Sequence, residues 1–201
     1  MADSSGLEAV TIRALGQALG VSTMSVYTHV NSRDDLMVLM ADDAHARMAL
    51  PTFSRAGWRT RIQRVAATNL ELLRTHPWLL QITDARVALG PGTIAKYDHE
   101  LRAFDDTDLS NVDRDTALTF VLDFVRASAT TLLPRPIPEQ FGEVWAQAVG
   151  PLSRYLGDDF PLAQRVGRDA GESMGAPYSA QRAWEFGIKR VVAGLADIIE
   201  G

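Results

Sequence analysis

The chain has no cysteine. That removes a disulfide framework, a thiolate nucleophile and any Cys-ligated zinc site at one stroke, and it suits a reducing cytoplasm. No apolar run approaches the roughly 18 residues a membrane-spanning helix needs. The N-terminus shows no basic-then-apolar leader pattern. Lysine is nearly absent too: Lys96 and Lys189 stand against 18 arginines, a composition consistent with a GC-rich genome. There are no period-two apolar runs and no Asn-Gly or Asp-Gly hairpin signal, so strands are not expected. Also missing are a phosphate-cradling glycine loop, an H-E-x-x-H pair and a G-x-S-x-G elbow, so no catalytic arrangement emerges and neither a cofactor nor a metal site is expected.

What remains is a 201-residue chain, 46% hydrophobic and helically patterned along its length. This is enough for one sizeable core or a small domain joined to a larger one. The most informative stretch is Thr11 to Leu36, TIRALGQALGVSTMSVYTHVNSRDDL. Two short helical patterns flank Gly20-Val21-Ser22, with Leu15, Ala18, Leu19, Val21, Val26 and Val30 spaced to pack one helix across the other. That is the layout of a helix-turn-helix, whose second helix enters the DNA major groove. Thr11 caps the first helix and Ser22 the second, which runs from Thr23 to about Val30. Thr23, Met24, Ser25, Tyr27, Thr28 and His29 then face outward. Ser32 caps a connector helix, with Asp34 and Asp35 in its first turn, reaching about Leu50.

Charge argues the other way. The whole chain carries −5. In its first 50 residues Arg13, Arg33 and Arg47 face Asp3, Glu8, Asp34, Asp35, Asp42 and Asp43, a net of −3. DNA-binding domains normally show a basic footprint. Groove contact is nonetheless local, and Arg13 and Arg33 flank the recognition helix. A helical module that binds a ligand or a protein partner and has lost DNA binding is therefore the alternative reading.

Beyond the head the periodicity predicts a helix from near Trp58 to His76-Pro77, a short apolar helix at Trp78–Ile82, and a break at Gly90-Pro91-Gly92. A helix over 93–104 follows, then a long one from Asn111 or Asp113 closed by Pro134 and Pro136. Glu139 to Val149 reads as helix. Positions 150–177, with five glycines and three prolines, read mostly as loop. A final helix runs from Ser179 to about Ile199. The 112–133 and 179–199 helices are each apolar along a broad stripe. They are expected to pair with their symmetry mates in a homodimer. Trp78, Phe104, Phe120, Phe124 and Trp145, with Asn69 and Gln81 as polar neighbours, are candidates to line a small-molecule site. The run Arg55, Arg59, Arg61, Arg64 reads as a solvated face. So do Asp42 with His45, and His99-Glu100. His76, before Pro77, reads as a helix-end group.

The head pattern T-x-R…LGV-(x)4-VYTHV-x-S-R-D-D-L, the run LLRTHPW and the closing FGIKRVVAGLADII helix resemble the TetR family of transcriptional repressors, in the branch similar to the tetracycline repressor in its C-terminal domain. The resemblance implies an all-α chain. Residues 1–45 would be the helix-turn-helix DNA-binding domain, and 46–201 the helical ligand-binding and dimerisation domain. It implies a cytoplasmic dimer that grips a palindromic double-stranded operator and releases it when a small-molecule effector binds. It assigns Thr23, Met24, Ser25 and Thr28 to the major groove, Tyr27 and His29 to phosphates, Arg13 to phosphate or a base edge, and Arg33 to the backbone. Two departures stand out. Family members carry a further helix before Gly6-Leu7-Glu8, of which Met1–Ser5 resembles the last turn; a protein without that helix is expected to have a loosened head with weak DNA affinity. And Leu79-Leu80-Gln81-Ile82-Thr83 lacks the histidine through which tetracycline-binding members chelate magnesium-drug, so tetracycline is not the expected effector.

Overall fold

The computed structural model describes residues 1–133, 141–175 and 178–201, and every side chain among them except those of 141–143, 145 and 146. Ten α-helices and several 3-10 turns make up the described chain, without a strand. The expected all-α class is what the chain adopts. It divides into two compact units, Met1–Thr130 with Ile188–Gly201, and Thr131–Gly187.

The first unit begins with α1 (Ala2–Ser5) and a 3-10 turn at Leu7–Ala9. Then come α2 (Ile12–Leu19), α3 (Thr23–Tyr27) and α4 (Arg33–Ala46). All three predicted caps form: the Thr11, Ser22 and Ser32 hydroxyls accept from the backbone N–H of Ala14, Ser25 and Asp35. Each satisfies one of the donors a helix start leaves open. Two ends fall short of their expected positions. α3 stops at Tyr27 rather than Val30, because Thr28 to Val30 close a turn back onto Val26. α4 stops at Ala46 rather than Leu50, and Met48 turns onto His45. Pro51 then holds the residue before it extended.

The body of this unit is built on α5 (Trp58–Thr75), α6 (Pro91–Leu101) and α7 (Asn111–Leu132). Ile62, Val65 and Ala66 of α5 and Val121, Val125 and Ala129 of α7 have no exposed surface. Phe104, in the 3-10 turn Arg102–Phe104, is equally buried. Further turns lie at Pro77–Gln81 and Ala85–Leu89, the second unforeseen in the sequence. α10 (Ala180–Glu200) buries Val191, Val192 and Leu195, and its Glu200 receives hydrogen bonds from Trp58 and Arg59 at the start of α5.

The arginine run is therefore no idle solvated face. Arg59 pairs with Glu200, Arg61 spans Ala56, Asp105 and Asp106, and Arg64 reaches the Thr52 carbonyl. Each fork of guanidinium donors ties the first turns of α5 to a loop or helix end. His99 likewise is not a bare polar-face group: its Nε2 meets the Pro51 carbonyl at 2.7 Å and its ring stacks on Phe53 at 5.0 Å.

The second unit corrects the loop reading of 150–177. α8 (Phe141–Leu156) continues through Pro151, and α9 (Pro161–Met174) follows. The break between them sits at Gly157 and Phe160, both left-handed, with φ of 54° and 56°. Pro161 opens α9 where its missing N–H costs nothing. Gln164 locks the corner by donating to the carbonyls of Gly157 and Asp159. Glycine and proline counts misled here because helical amphipathicity tolerated both. The expected stops at Pro134 and Pro136, the start at Glu139 and the end at Pro177 lie outside the described residues.

Candidate nucleic-acid interface and effector cavity

The head is held by a small core of Ile12, Val26 and Val30, with Leu15 and Leu36 packed against it. Gly16 lets α2 approach the turn, since a Cβ there would stand 3.0 Å from the Val21 carbonyl oxygen. Gly20 takes the left-handed conformation that ends α2, φ 67°. Glycine adopts it without steric cost. Three residues expected in this packing are not in it. Ala18, Leu19 and Val21 are exposed, the last two by 64% and 45%, because α3 crosses α2 over Gly16 instead.

Thr23, Met24, Ser25, Tyr27, Thr28 and His29 are all exposed, and so is Arg13 on α2. Arg33 is placed differently. Its Nε donates to the Val10 carbonyl at 3.0 Å and its Nη2 to that of Leu7 at 2.8 Å. Two of its three guanidinium nitrogens thus clamp the head's own backbone, although the residue stays exposed.

In the body, a cavity of about 330 Å³ is walled by Leu72, Leu73, Leu79, Ile82, Val87 and Leu122. His45, Asn69, Asp84, Tyr97, Asp123 and Arg126 add polar groups. Of the residues named from sequence for this site whose side chains are described, Asn69 alone lines it. Trp78 is buried and its indole N–H donates to the Asp3 carboxylate at 2.6 Å. Gln81 lines a separate depression of about 440 Å³ together with Arg33 and Met37. Phe104 is sealed in the core, and Phe120 is 52% exposed. Phe124 is half-buried and off the cavity. The Trp145 side chain lies outside the described residues. The aromatics were grouped by residue type, whereas helix phase decides which of them turn inward.

The cavity floor holds a feature that periodicity hid. Glu100 is fully buried, not on a polar face as its neighbours suggest. Its carboxylate accepts from Lys96 Nζ at 2.7 Å and from Asn69 Nδ2 at 2.5 Å. Asn69 also donates to the Val65 carbonyl. A buried charge persists only when paired and hydrogen-bonded, as this one is on both oxygens. The signal available in the sequence was the Lys96/Glu100 i,i+4 spacing, one of ordinary surface pairs.

The connector α4 docks on the start of α6, which carries that pair. Asp42 Oδ1 accepts from the Thr93 N–H at 2.7 Å and from the Thr93 hydroxyl at 3.1 Å. Burial pushes the Asp42 carboxyl up, but bonds from Thr93 and Gly92 outweigh it and hold it below the usual carboxylate range. His45 Nδ1 lies 2.8 Å from the Thr93 Oγ1. Since the Thr93 hydroxyl gives its proton to Asp42, His45 Nδ1 is the donor in this bond. His45 and Asp42 are thus a buttress rather than a solvated pair. Burial, followed by the charge of Lys96, lowers the His45 pKa to about 4.

That shift has a testable sign. Histidine's ordinary pKa is 6.5, so between pH 6.5 and 4 the unfolded chain binds a proton the folded chain refuses. The resulting stability is full above pH 6.5 and is lost as pH falls towards 4. Urea midpoints measured across this range are expected to fall with acid in the native chain and to fall less in His45→Gln. Equal slopes in the two would show that His45 stays solvated.

A second link runs through the turn Ala85–Leu89. Asp84 borders the cavity and grips Arg86, whose Nη1 reaches Asp35 in the first turn of α4 at 2.5 Å. Side chains at the cavity edge are thus wired to the helix that follows α3. Among the described residues no cluster of three His, Cys, Asp or Glu is placed to hold a metal ion, and no helix is long and apolar enough to cross a membrane.

Residues 50–199 match the family model described as "Tetracyclin repressor-like, C-terminal domain". The chain is 27% identical over 206 residues to the HTH-type transcriptional repressor DrrR1 of Streptomyces coeruleorubidus, covering 99% of this chain and 74% of that protein. It is 26% identical to an HTH-type transcriptional regulator of Saccharopolyspora erythraea, covering 96% of this chain and 79% of the relative. In fold it is similar to the Streptomyces coelicolor TetR family protein ActR in complex with actinorhodin, with a TM-score of 0.78 at 23% identity, covering 98% of this chain and 91% of that one.

Proposed function

Because the chain belongs to the TetR family of transcriptional regulators, we propose that it is a dimeric repressor whose recognition helices grip a palindromic operator and which a small apolar or aromatic effector releases. The observation that carries this reading is the docking of α4 on α6. One end of α4 follows the exposed 23–29 segment, and the other end buttresses the helix that floors a ligand-sized cavity. A cavity of this kind, mostly apolar with a few fixed polar groups, suits a small organic molecule. The similar ActR structure, solved in complex with actinorhodin, supports a small-molecule effector.

The dimer is formed by the 112–133 and 179–199 helices. Their exposed apolar residues support it: Val112 and Phe120 on α7, Phe186 and Ile198 on α10. Gly194 faces open space, where a partner helix could approach closely. Two copies would set their α3 helices in successive major grooves, about 34–36 Å apart. The effector favours a dimer with a different spacing, and α4 carries the change. Tyr27 and His29 contact phosphates and Arg13 flanks them. Arg33 serves first as the clamp on Leu7 and Val10. The work is done in the cytoplasm.

The test is selection of duplexes from a random pool with the 201-residue chain, repeated with polycyclic aromatic compounds present. The expected result is a palindromic site bound more weakly as salt rises, and released by at least one compound that Leu72→Trp, filling the cavity, makes ineffective. The acidic head favours one rival, a ligand-binding module without DNA contact. It would be established by tight effector binding with no duplex selected.

A further inference from the structure

We infer that the head reads sequence through thymine methyl groups, with Met24 as the principal contact. This rests on the operator reading above and adds which base edges are recognised.

The exposed surface of 23–29 consists of Thr23, Met24, Ser25, Tyr27, Thr28 and His29. It contains no Arg or Lys to bridge the two acceptors of guanine, and no Asn or Gln to pair with adenine. Two of its four hydroxyl-bearing residues, Ser25 and Thr28, engage their hydroxyls locally. Ser22 Oγ accepts from the Ser25 N–H at 3.1 Å and lies 3.0 Å from Ser25 Oγ. Thr28 Oγ1 donates to the Ser25 carbonyl at 2.6 Å. With that hydroxyl turned back on its own helix, the other branch at the Thr28 Cβ, a methyl, is left to face away.

Met24 stands out against this background. It is 71% exposed, and the small head core of Ile12, Val26 and Val30 leaves it out. A long, unbranched thioether held in water beside a threonine methyl is an apolar probe. In the major groove the apolar group on a base edge is the C5-methyl of thymine. Removing that methyl and Met24 from water together gives a sequence preference without a single bidentate hydrogen bond.

The experiment uses the full chain and the duplex it selects. Each thymine in a half-site is replaced by deoxyuridine, which pairs identically and lacks only the methyl. Binding is expected to weaken about fourfold per contacted methyl, the burial value of one carbon. The slope of log K against log salt should not change, because no phosphate contact is touched. In Met24→Ala the thymine and deoxyuridine duplexes should bind alike. In Met24→Arg, selection should move the preferred base towards guanine. Equal binding of thymine and deoxyuridine duplexes by the native chain, or a selected site without thymine in its half-sites, overturns the inference and leaves the operator reading standing. Failure to select any duplex overturns both.

Discussion

Glu100→Ala is expected to cost about 3–5 kcal/mol of stability, the usual loss when one partner of a buried ion pair is removed. Lys96 is 8% exposed, and Glu100 supplies the carboxylate that neutralises it at 2.7 Å. Without it the buried ammonium has no counter-charge, and water must enter the cavity or α6 must move outward. Asn69 keeps its bond to Val65, so the loss falls on Lys96. Urea denaturation at fixed protein concentration measures the difference. The sharper check is Lys96→Met/Glu100→Met. Two apolar side chains of similar volume remove the charge problem together, so the double variant should recover most of the loss. A loss below about 1 kcal/mol in Glu100→Ala would mean that Lys96 already reaches solvent through the cavity mouth.

Gly92→Ala is expected to damage communication between the cavity and the head. A Cβ at position 92 would stand 2.5 Å from the Asp42 carbonyl oxygen and 2.7 Å from the Ala46 Cβ. Both are rigid parts of α4, and carbon contacts settle near 3.5–4.0 Å. The start of α6 must therefore back away, breaking the bonds from Thr93 to Asp42. Overpacking of this kind costs about 1–3 kcal/mol. The larger consequence is functional. Allosteric coupling is worth about 5–150-fold in affinity. Much of that factor should vanish when the cavity helix no longer bears on the connector, while effector binding measured alone changes little. Gly150→Ala is the matched control: it lies inside α8 with nothing within 4 Å of the added carbon. It should be neutral or slightly stabilising. An effector response in Gly92→Ala equal to that of the native chain would place the coupling elsewhere, with the Asp84–Arg86–Asp35 link as the next place to cut.

The head was legible because local rules decide it. Thr11, Ser22 and Ser32 each sit three residues before the N–H they cap, and that spacing is visible without a fold. The six outward residues of 23–29 follow from the same short-range geometry. The resemblance to TetR regulators added the reading of what such a head does, and the family match over 50–199 supports it from the other end of the chain. The cavity was legible only as a need of an apolar body, and its lining was not. Trp78 turns to Asp3, Phe104 fills the core and Phe120 faces outward, so an aromatic count could not stand in for the wall that Leu72, Leu79 and Ile82 build.

Taken alone, the string of residues determined the helices of the head, their caps, the helix-turn-helix and the absence of thiol chemistry, since each depends on neighbours a few positions apart or on composition. Only the tertiary structure decided that Glu100 goes inside with Lys96 and Asn69, that Arg33 holds Leu7 and Val10, and that Asp42 and His45 brace Thr93. The reason is physical: the fate of a charged or polar side chain depends on which distant group meets it as water leaves. Partners such as Asp42 and Thr93, 51 positions apart, leave no trace in any local period.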